Sequence, residues 1–288
     1  MGEFEGGTFV MSNDFSFLLE PLVWIGIVIC LLIVIRMVLM RQKKKCSYTA
    51  FQIMPDKLEP ERFSYVYQKD EEQLFIVTDG VGDDARTKVI ASDIATKKIS
   101  HLFEQKLDSE DGKAFLKRAC FQAHRAISEN INHGSGGCSI GIVYVTNRQM
   151  TWVSSGNVGI YFCEREIKQL NQLDIYKHQL KEHFLSRKIN PEKIQLNLIK
   201  NELTSYLGCD NFKHVEIGKM DVVLGKKAKI LIITNVIQEL VTPLEMEEIL
   251  NKNSNLEDKK MQLQEKFLQR GTLETDGQKA SAIIIEGF

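Results

Sequence analysis

The chain has 288 residues, enough for one large domain or two small ones, and its 43% hydrophobic share is that of an ordinary globular protein. With 37 basic and 38 acidic residues the formal net charge is -1, which offers no bulk attraction to polyanions and argues against nucleic-acid binding. The cysteines, Cys30, Cys46, Cys120, Cys138, Cys163 and Cys209, form no CxxC pair and no His/Cys cluster at zinc spacing, so they read as reduced thiols.

Residues 1–16 are too few to fold alone. From Pro21 to Ile35 the run PLVWIGIVICLLIVI carries no charge, and apolar flanks extend it from Phe17 to Met40 with only Glu20 and Arg36 intervening. Residues 17–40 therefore read as one transmembrane helix, with Arg36 near enough to one end to snorkel toward the headgroups. The residues before it include Glu3, Glu5, Asp14 and Glu20 but no Lys or Arg, which argues against a cleaved signal peptide. Arg36, Arg41, Lys43, Lys44 and Lys45 crowd the other flank. The positive-inside rule then predicts a single-pass protein of the cell membrane, with its N-terminus outside and everything beyond Arg41 in the cytosol. Residues 41–50 read as a basic juxtamembrane linker, in which Cys46 is either an unmodified thiol or an acyl-chain carrier.

Beyond the linker, QLFIVTDGVGDD reads as a buried strand from Leu74 to Thr78 ending in an acidic, glycine-containing loop. Apolar positions at helical spacing predict helices over about Arg86 to Gln105 and Lys113 to Asn130. SIGIVYV, MTWVSS and VGIYFCE read as an antiparallel meander. The stretch from Ile167 to Leu203 is polar and helix-prone, AKILIITNV reads as a strand, Leu244 to Leu268 as a helix and SAIIIEG as a closing strand. Mixed strands and helix pairs point to an α+β layered domain.

The order and punctuation of these segments resemble the bacterial branch of the PP2C (PPM) metal-dependent serine/threonine phosphatases over 51–288. FIVTDGVGDDARTKVIASDIA looks like that family's strand, Asp-Gly-x-Gly loop and Ala-Ser helix, matched by Asp79, Gly80, Gly82, Ala91 and Ser92. GGCSIGIVYV stands where the family has Gly-Thr-Thr before a strand. SSGNVGIYF resembles its Gly-Asp-Ser-Arg strand, and KINPEKI its helical flap. NELTSYLG matches its Asn-x-Leu-Thr-x-x-Leu-Gly signature at Asn201, Leu203, Thr204, Leu207 and Gly208. The resemblance implies an α-β-β-α sandwich, two antiparallel sheets flanked by helix pairs, with a two-metal Mg2+ or Mn2+ centre at one end. Such a centre needs several oxygen ligands, most of them anionic, to hold hard cations and activate a bridging water.

Residue by residue, that implied centre is eroded. Asp79 matches the bridging aspartate and Gly80 the glycine whose carbonyl accompanies it; outside the resemblance, Asp79 reads as a turn or helix cap. Glu61 falls on a metal-linked glutamate, but Arg62 replaces the neighbouring aspartate with a cation that repels metal or captures an anion. Asn235, between Thr234 and Val236, replaces a ligand aspartate, and Val236 the glycine after it. Gln278 and Lys279 stand on the Asp-Asn pair near the C-terminus, with Asp276 two residues away as a possible substitute. Asn157 replaces the aspartate of Gly-Asp-Ser-Arg. Asp83 and Asp84 either add charge beside Asp79 or favour the start of the next helix. The histidines show no ligand or dyad pattern.

The expected protein is thus a membrane-anchored, PP2C-like pseudophosphatase serving as a cytosolic binding or regulatory module, with no cofactor. Its partner would be a cytosolic or membrane protein, such as a phosphoprotein or a component of a kinase pathway. The alternative is a divergent active phosphatase using Mn2+ or Mg2+ held by Asp79, Gly80 and Glu61.

Overall fold

The computed structural model describes residues 16–40, 46–53, 64–131, 136–146, 149–175, 203–221, 228–271 and 280–287. Two units separate along the chain, Met1–Lys43 and Lys44–Phe288.

The first unit contains helix α1, Ser16–Met40, 25 residues long and so about 37 Å from end to end. Its described side chains, Val23 to Arg36, are all exposed. Among the described residues no helix is long and apolar enough to cross a membrane.

The second unit runs β1 (Ser47–Ile53), β2 (Ser64–Lys69), β3 (Glu72–Gly82), α2 (Ala85–Glu104), α3 (Gly112–Asn130), β4 (Gly136–Val145), β5 (Gln149–Ser155), β6 (Gly159–Cys163), β7 (Ile167–Gln169), β8 (Glu216–Asp221), β9 (Lys229–Ile233), α4 (Asn235–Leu240), α5 (Pro243–Asn251), α6 (Leu256–Gly271) and β10 (Ala280–Glu286). These strands build two five-stranded sheets, ordered β2-β3-β4-β5-β8 and β1-β10-β9-β6-β7, and every pairing is antiparallel.

Alternation along the strands assigns each side chain to a layer. In β3, Phe75 and Val77 join Val143, Ile160, Ile230, Ile232, Ile283 and Ile285 in the core between the sheets. Leu74 and Ile76 point the other way, against Ala95 and Ile99 of α2 and Phe115 and Ala123 of α3. On the far side, Leu231, Ile233, Ala282 and Ile284 pack beneath Ile237, Ile249, Leu263 and Phe267 of α4, α5 and α6. The result is the expected α-β-β-α layering, with each large inward side chain contributing roughly 1.5–3 kcal/mol through burial. β10 has apolar residues on both faces because it is a central strand covered on both sides, which explains its unbroken Ile283-Ile284-Ile285 run.

Several expectations need correction. The three strands read as a meander do not form one: β4 pairs with β5, but β6 belongs to the other sheet, beside β9. The chain changes sheets at Gly156, whose φ of +92° suits glycine. The run AKILIITNV stops being strand at Ile233, and Asn235 and Val236 open α4 instead of a turn. The single helix read over Leu244 to Leu268 is two. Thr242 starts α5 with a capping box to Glu245 and with Pro243 in its first turn, and the polar stretch after Asn251 ends it. β1 begins at Ser47, within the stretch 41–50.

Candidate functional site

The segment read as an acidic loop after Thr78 is strand as far as Gly82, paired with β4, so that only Asp83 and Asp84 lie between β3 and α2. Continuing the alternation of β3, Asp79 comes two residues after the inward Val77 and so falls on the face between the sheets, half-buried and opposite Ser139 of β4. Gly80 falls on the helix side, where a Cβ would lie 2.4 Å from the Lys88 carbonyl oxygen. This glycine is thus required by the close approach of α2, independently of any ligand role. Asp84 is the N-cap of α2, accepting from the Thr87 amide at 2.8 Å and the Thr87 hydroxyl at 2.5 Å, which keeps its carboxyl below the usual range and matches the helix-start reading.

Two other positions read as degenerate ligands lie among the described residues, and the side-chain oxygen of one, Asn157 Oδ1, is buried without a hydrogen-bond partner among them. Asn235 is the first residue of α4, and its Nδ2 donates to Glu239 Oε1 at 2.6 Å. The carbonyl of Asn157, in the crossing turn between β5 and β6, accepts from Gln238 Nε2 at 2.8 Å. Gln238 Oε1 in turn accepts from the Tyr161 hydroxyl at 2.9 Å. Thr234 Oγ1 accepts from the Ser281 amide at 3.1 Å, and the Thr234 amide donates to the Ser281 carbonyl, joining the end of β9 to the start of β10. Glu61, Arg62, Gln278, Lys279 and Asp276 lie outside the described residues.

This donor set does not fit a two-metal centre. Among the described residues no three His, Cys, Asp or Glu side chains converge as a metal-binding group. At the family's ligand positions the described chain presents one carboxylate, Asp79, alongside two neutral amides. Opposite Asp79, Ser139 Oγ is a buried hydroxyl oxygen without a hydrogen-bond partner among the described residues. A hard divalent cation would need more charge than these groups supply.

The signature segment has a structural account. Leu207 bridges Cys138 through reciprocal backbone hydrogen bonds of 2.9 and 3.0 Å. Gly208 has φ +99°, and a Cβ there would lie 2.6 Å from Ile127 Cγ2. Leu203 bridges Ile175, and the Thr204 amide donates to the Asp174 carbonyl. Asn201 and residues 176–200 lie outside the described residues.

Sequence reasoning passed over four residues here. Gln238 and Tyr161 join α4 to the crossing turn. Asn171, 5% exposed, holds β6 like an extra strand, its Oδ1 accepting from the Ile160 amide and its Nδ2 donating to the Val158 carbonyl, each at 2.8 Å. Asp174 Oδ2 accepts from the Gly156 amide at 3.0 Å, and its own amide donates to the Gly156 carbonyl at 2.8 Å. Nothing in an isolated Asn, Gln or Asp reveals such long-range partners. The Cys46 thiol is buried and its pKa is pushed up to about 12 by desolvation, so it is not presented for acylation.

Solved structures resemble this arrangement closely. The S. agalactiae serine/threonine phosphatase aligns with TM-score 0.69 and 15% identity, over 85% of this chain and 100% of its own. The Staphylococcus aureus serine/threonine phosphatase aligns at 0.67 and 17%, over 84% and 95%. That of Mycobacterium tuberculosis, PstP, aligns at 0.65 and 15%, over 84% and 98%. The chain has the PP2C (PPM) phosphatase fold. At these identities the likeness concerns the fold. The PstP catalytic domain has also been solved in complex with two manganese ions. No protein-family model and no curated protein sequence matches the chain. Of the described positions that the resemblance matches to metal ligands, Asp79 is the one that carries a carboxylate.

Proposed function

We propose that this protein is a membrane-anchored PP2C-like pseudophosphatase whose cytosolic domain binds a protein partner instead of hydrolysing phosphate esters. The observation that carries the reading is the donor set: among the described positions matched to metal ligands Asp79 is the one carboxylate, Asn235 is a neutral amide whose Nδ2 donates to Glu239, and Asn157 is a neutral amide whose buried Oδ1 has no hydrogen-bond partner among the described residues. The anchor is α1, whose sequence is apolar from Phe17 to Met40 apart from Glu20 and Arg36. The basic residues that follow it orient the domain toward the cytosol. A partner from a phosphoprotein or kinase pathway is consistent with the fold, by analogy alone.

The test is Mn2+-dependent hydrolysis of an aryl phosphate by the full chain in detergent micelles, with Asp79→Ala as the control for contaminating phosphatase. The expected result is no turnover above that control. Turnover abolished by Asp79→Ala would overturn the reading in favour of an active, divergent Mn2+ or Mg2+ phosphatase.

A further inference from the structure

We propose that α4 closes the mouth of the sandwich by hydrogen bonds, with Gln238 as the cross-link, so that the domain attains its fold without a divalent cation. The inference rests on the reading above that the mouth holds no metal pair.

The turn from Gly156 to Val158 passes from one sheet to the other, and something must hold it against β9 and β10 at that open end. Gln238 does so with both halves of its amide, donating to the Asn157 carbonyl at 2.8 Å and accepting from the Tyr161 hydroxyl at 2.9 Å. Its seat exists because residue 159 is glycine: a Cβ there would lie 2.6 Å from Gln238 Oε1. Tyr161 is 6% exposed, so its hydroxyl has few alternative partners and loses much if Gln238 is removed. One residue on, Glu239 holds Asn235 at 2.6 Å, while Thr234 ties β9 to Ser281 of β10. Gln238 thus joins α4 to the crossing turn and β6, the Asn235–Glu239 bond lies within the helix, and Thr234, the residue before it, ties β9 to β10.

Asn157 and Asn235 are both neutral, so neither adds a negative charge at this end of the sandwich that a cation would have to offset.

The test is thermal unfolding of the full chain in detergent micelles, with Mn2+ or with EDTA, for the wild type, Gln238→Met, Tyr161→Phe and the double variant. The midpoint is expected to be the same with Mn2+ and EDTA. Gln238→Met, which keeps the volume and removes both hydrogen bonds, is expected to lower it by roughly 5 °C. Tyr161→Phe should lower it by less, and the double variant by less than the sum of the two because they share one bond. If Gln238→Met does not fold, the metal comparison and Tyr161→Phe still decide. A midpoint raised several degrees by Mn2+, or one unmoved by Gln238→Met, would overturn the proposal. Turnover lost in Asp79→Ala bears on the non-catalytic reading, whereas the clamp is judged by these midpoints.

Discussion

The backbone amide of Gly208 donates to Nδ1 of His124 at 3.0 Å, so α3 and the signature segment are joined by a glycine that cannot be replaced and a histidine held in one tautomer. With Nδ1 accepting, the neutral ring carries its proton on Nε2. The ring also stacks on Phe212, with centroids 4.4 Å apart, and lines a cavity of about 1040 Å3 along α3 together with Arg118, Phe121, Arg125 and Asp210.

Gly208→Ala should therefore be destabilising twice over. The left-handed φ strains any L side chain, and the added Cβ meets Ile127 and the Gly136 carbonyl. A loss of about 2–3 kcal/mol is expected in urea unfolding, whereas Ala at the exposed Gly26, which has no neighbour within 4 Å, should leave the second unit unchanged.

Burial lowers the His124 pKa from its ordinary value. A depressed histidine pKa means that the folded state binds fewer protons than the unfolded chain. Its contribution is complete above the unfolded value near pH 6.5 and is lost as pH falls toward the folded pKa. His124→Asn, whose side-chain oxygen can accept from the Gly208 amide, should flatten that part of the stability curve between pH 7.5 and 5.5, measured by chemical unfolding at each pH.

Asp174 has the opposite sign. Burial raises its pKa, against the lowering effects of the Gly156 amide, His214 and the Ser155 hydroxyl. Glu216, raised by burial and by Asp174, faces the same group. A raised carboxylate stabilises fully below its unfolded pKa near 4 and loses that contribution as pH rises through its folded value. Asp174→Asn retains an acceptor for Gly156 and should remove part of this loss, so that its stability relative to the wild type improves from pH 4 upward. An unchanged difference across that range would sink the assignment.

Lys106 is buried at the end of α2, with Nζ 3.0 Å from Glu72 Oε1 and 3.2 Å from the Leu107 carbonyl, beside the Tyr144 ring. Its side chain is 1% exposed and that of Glu72 19%. Glu72→Gln leaves a buried cation without its counter-charge and should cost about 3 kcal/mol. Lys106→Met in the same background should restore much of it, a double-mutant comparison read from denaturant midpoints.

The layered fold was legible in the sequence because its evidence is local. The α2 and α3 periodicities and the run before Gly287 each report their own burial and form elements at nearly the expected bounds, whereas the strand read from Leu74 to Thr78 runs from Glu72 to Gly82, through the segment read as a loop. β1 and β2 were missed because SYTAFQI and SYVYQK are half-polar, and β1 is defined by its distant partner β10. The meander failed for a similar reason: adjacency in sequence favours pairing, and only the backbone at Gly156 reveals the change of sheet. At the candidate site, the chemistry of Asp79 and Asn235 was readable as residue type. The hydrogen bonds from Glu239 and Gln238 were not, since they depend on a helix starting where a turn was expected.

The first strand of the second unit lies beside its last, with Ser47 opposite Glu286. On a ribosome, β1 emerges early yet has no partner until almost the whole chain has been made. During that interval its unpaired backbone edge and the buried face of Phe51 are open to wrong pairing. Synthesis of β10 is thus the event that seals this sheet, and a chain lacking that strand would leave β1 and β9 each with a bare edge.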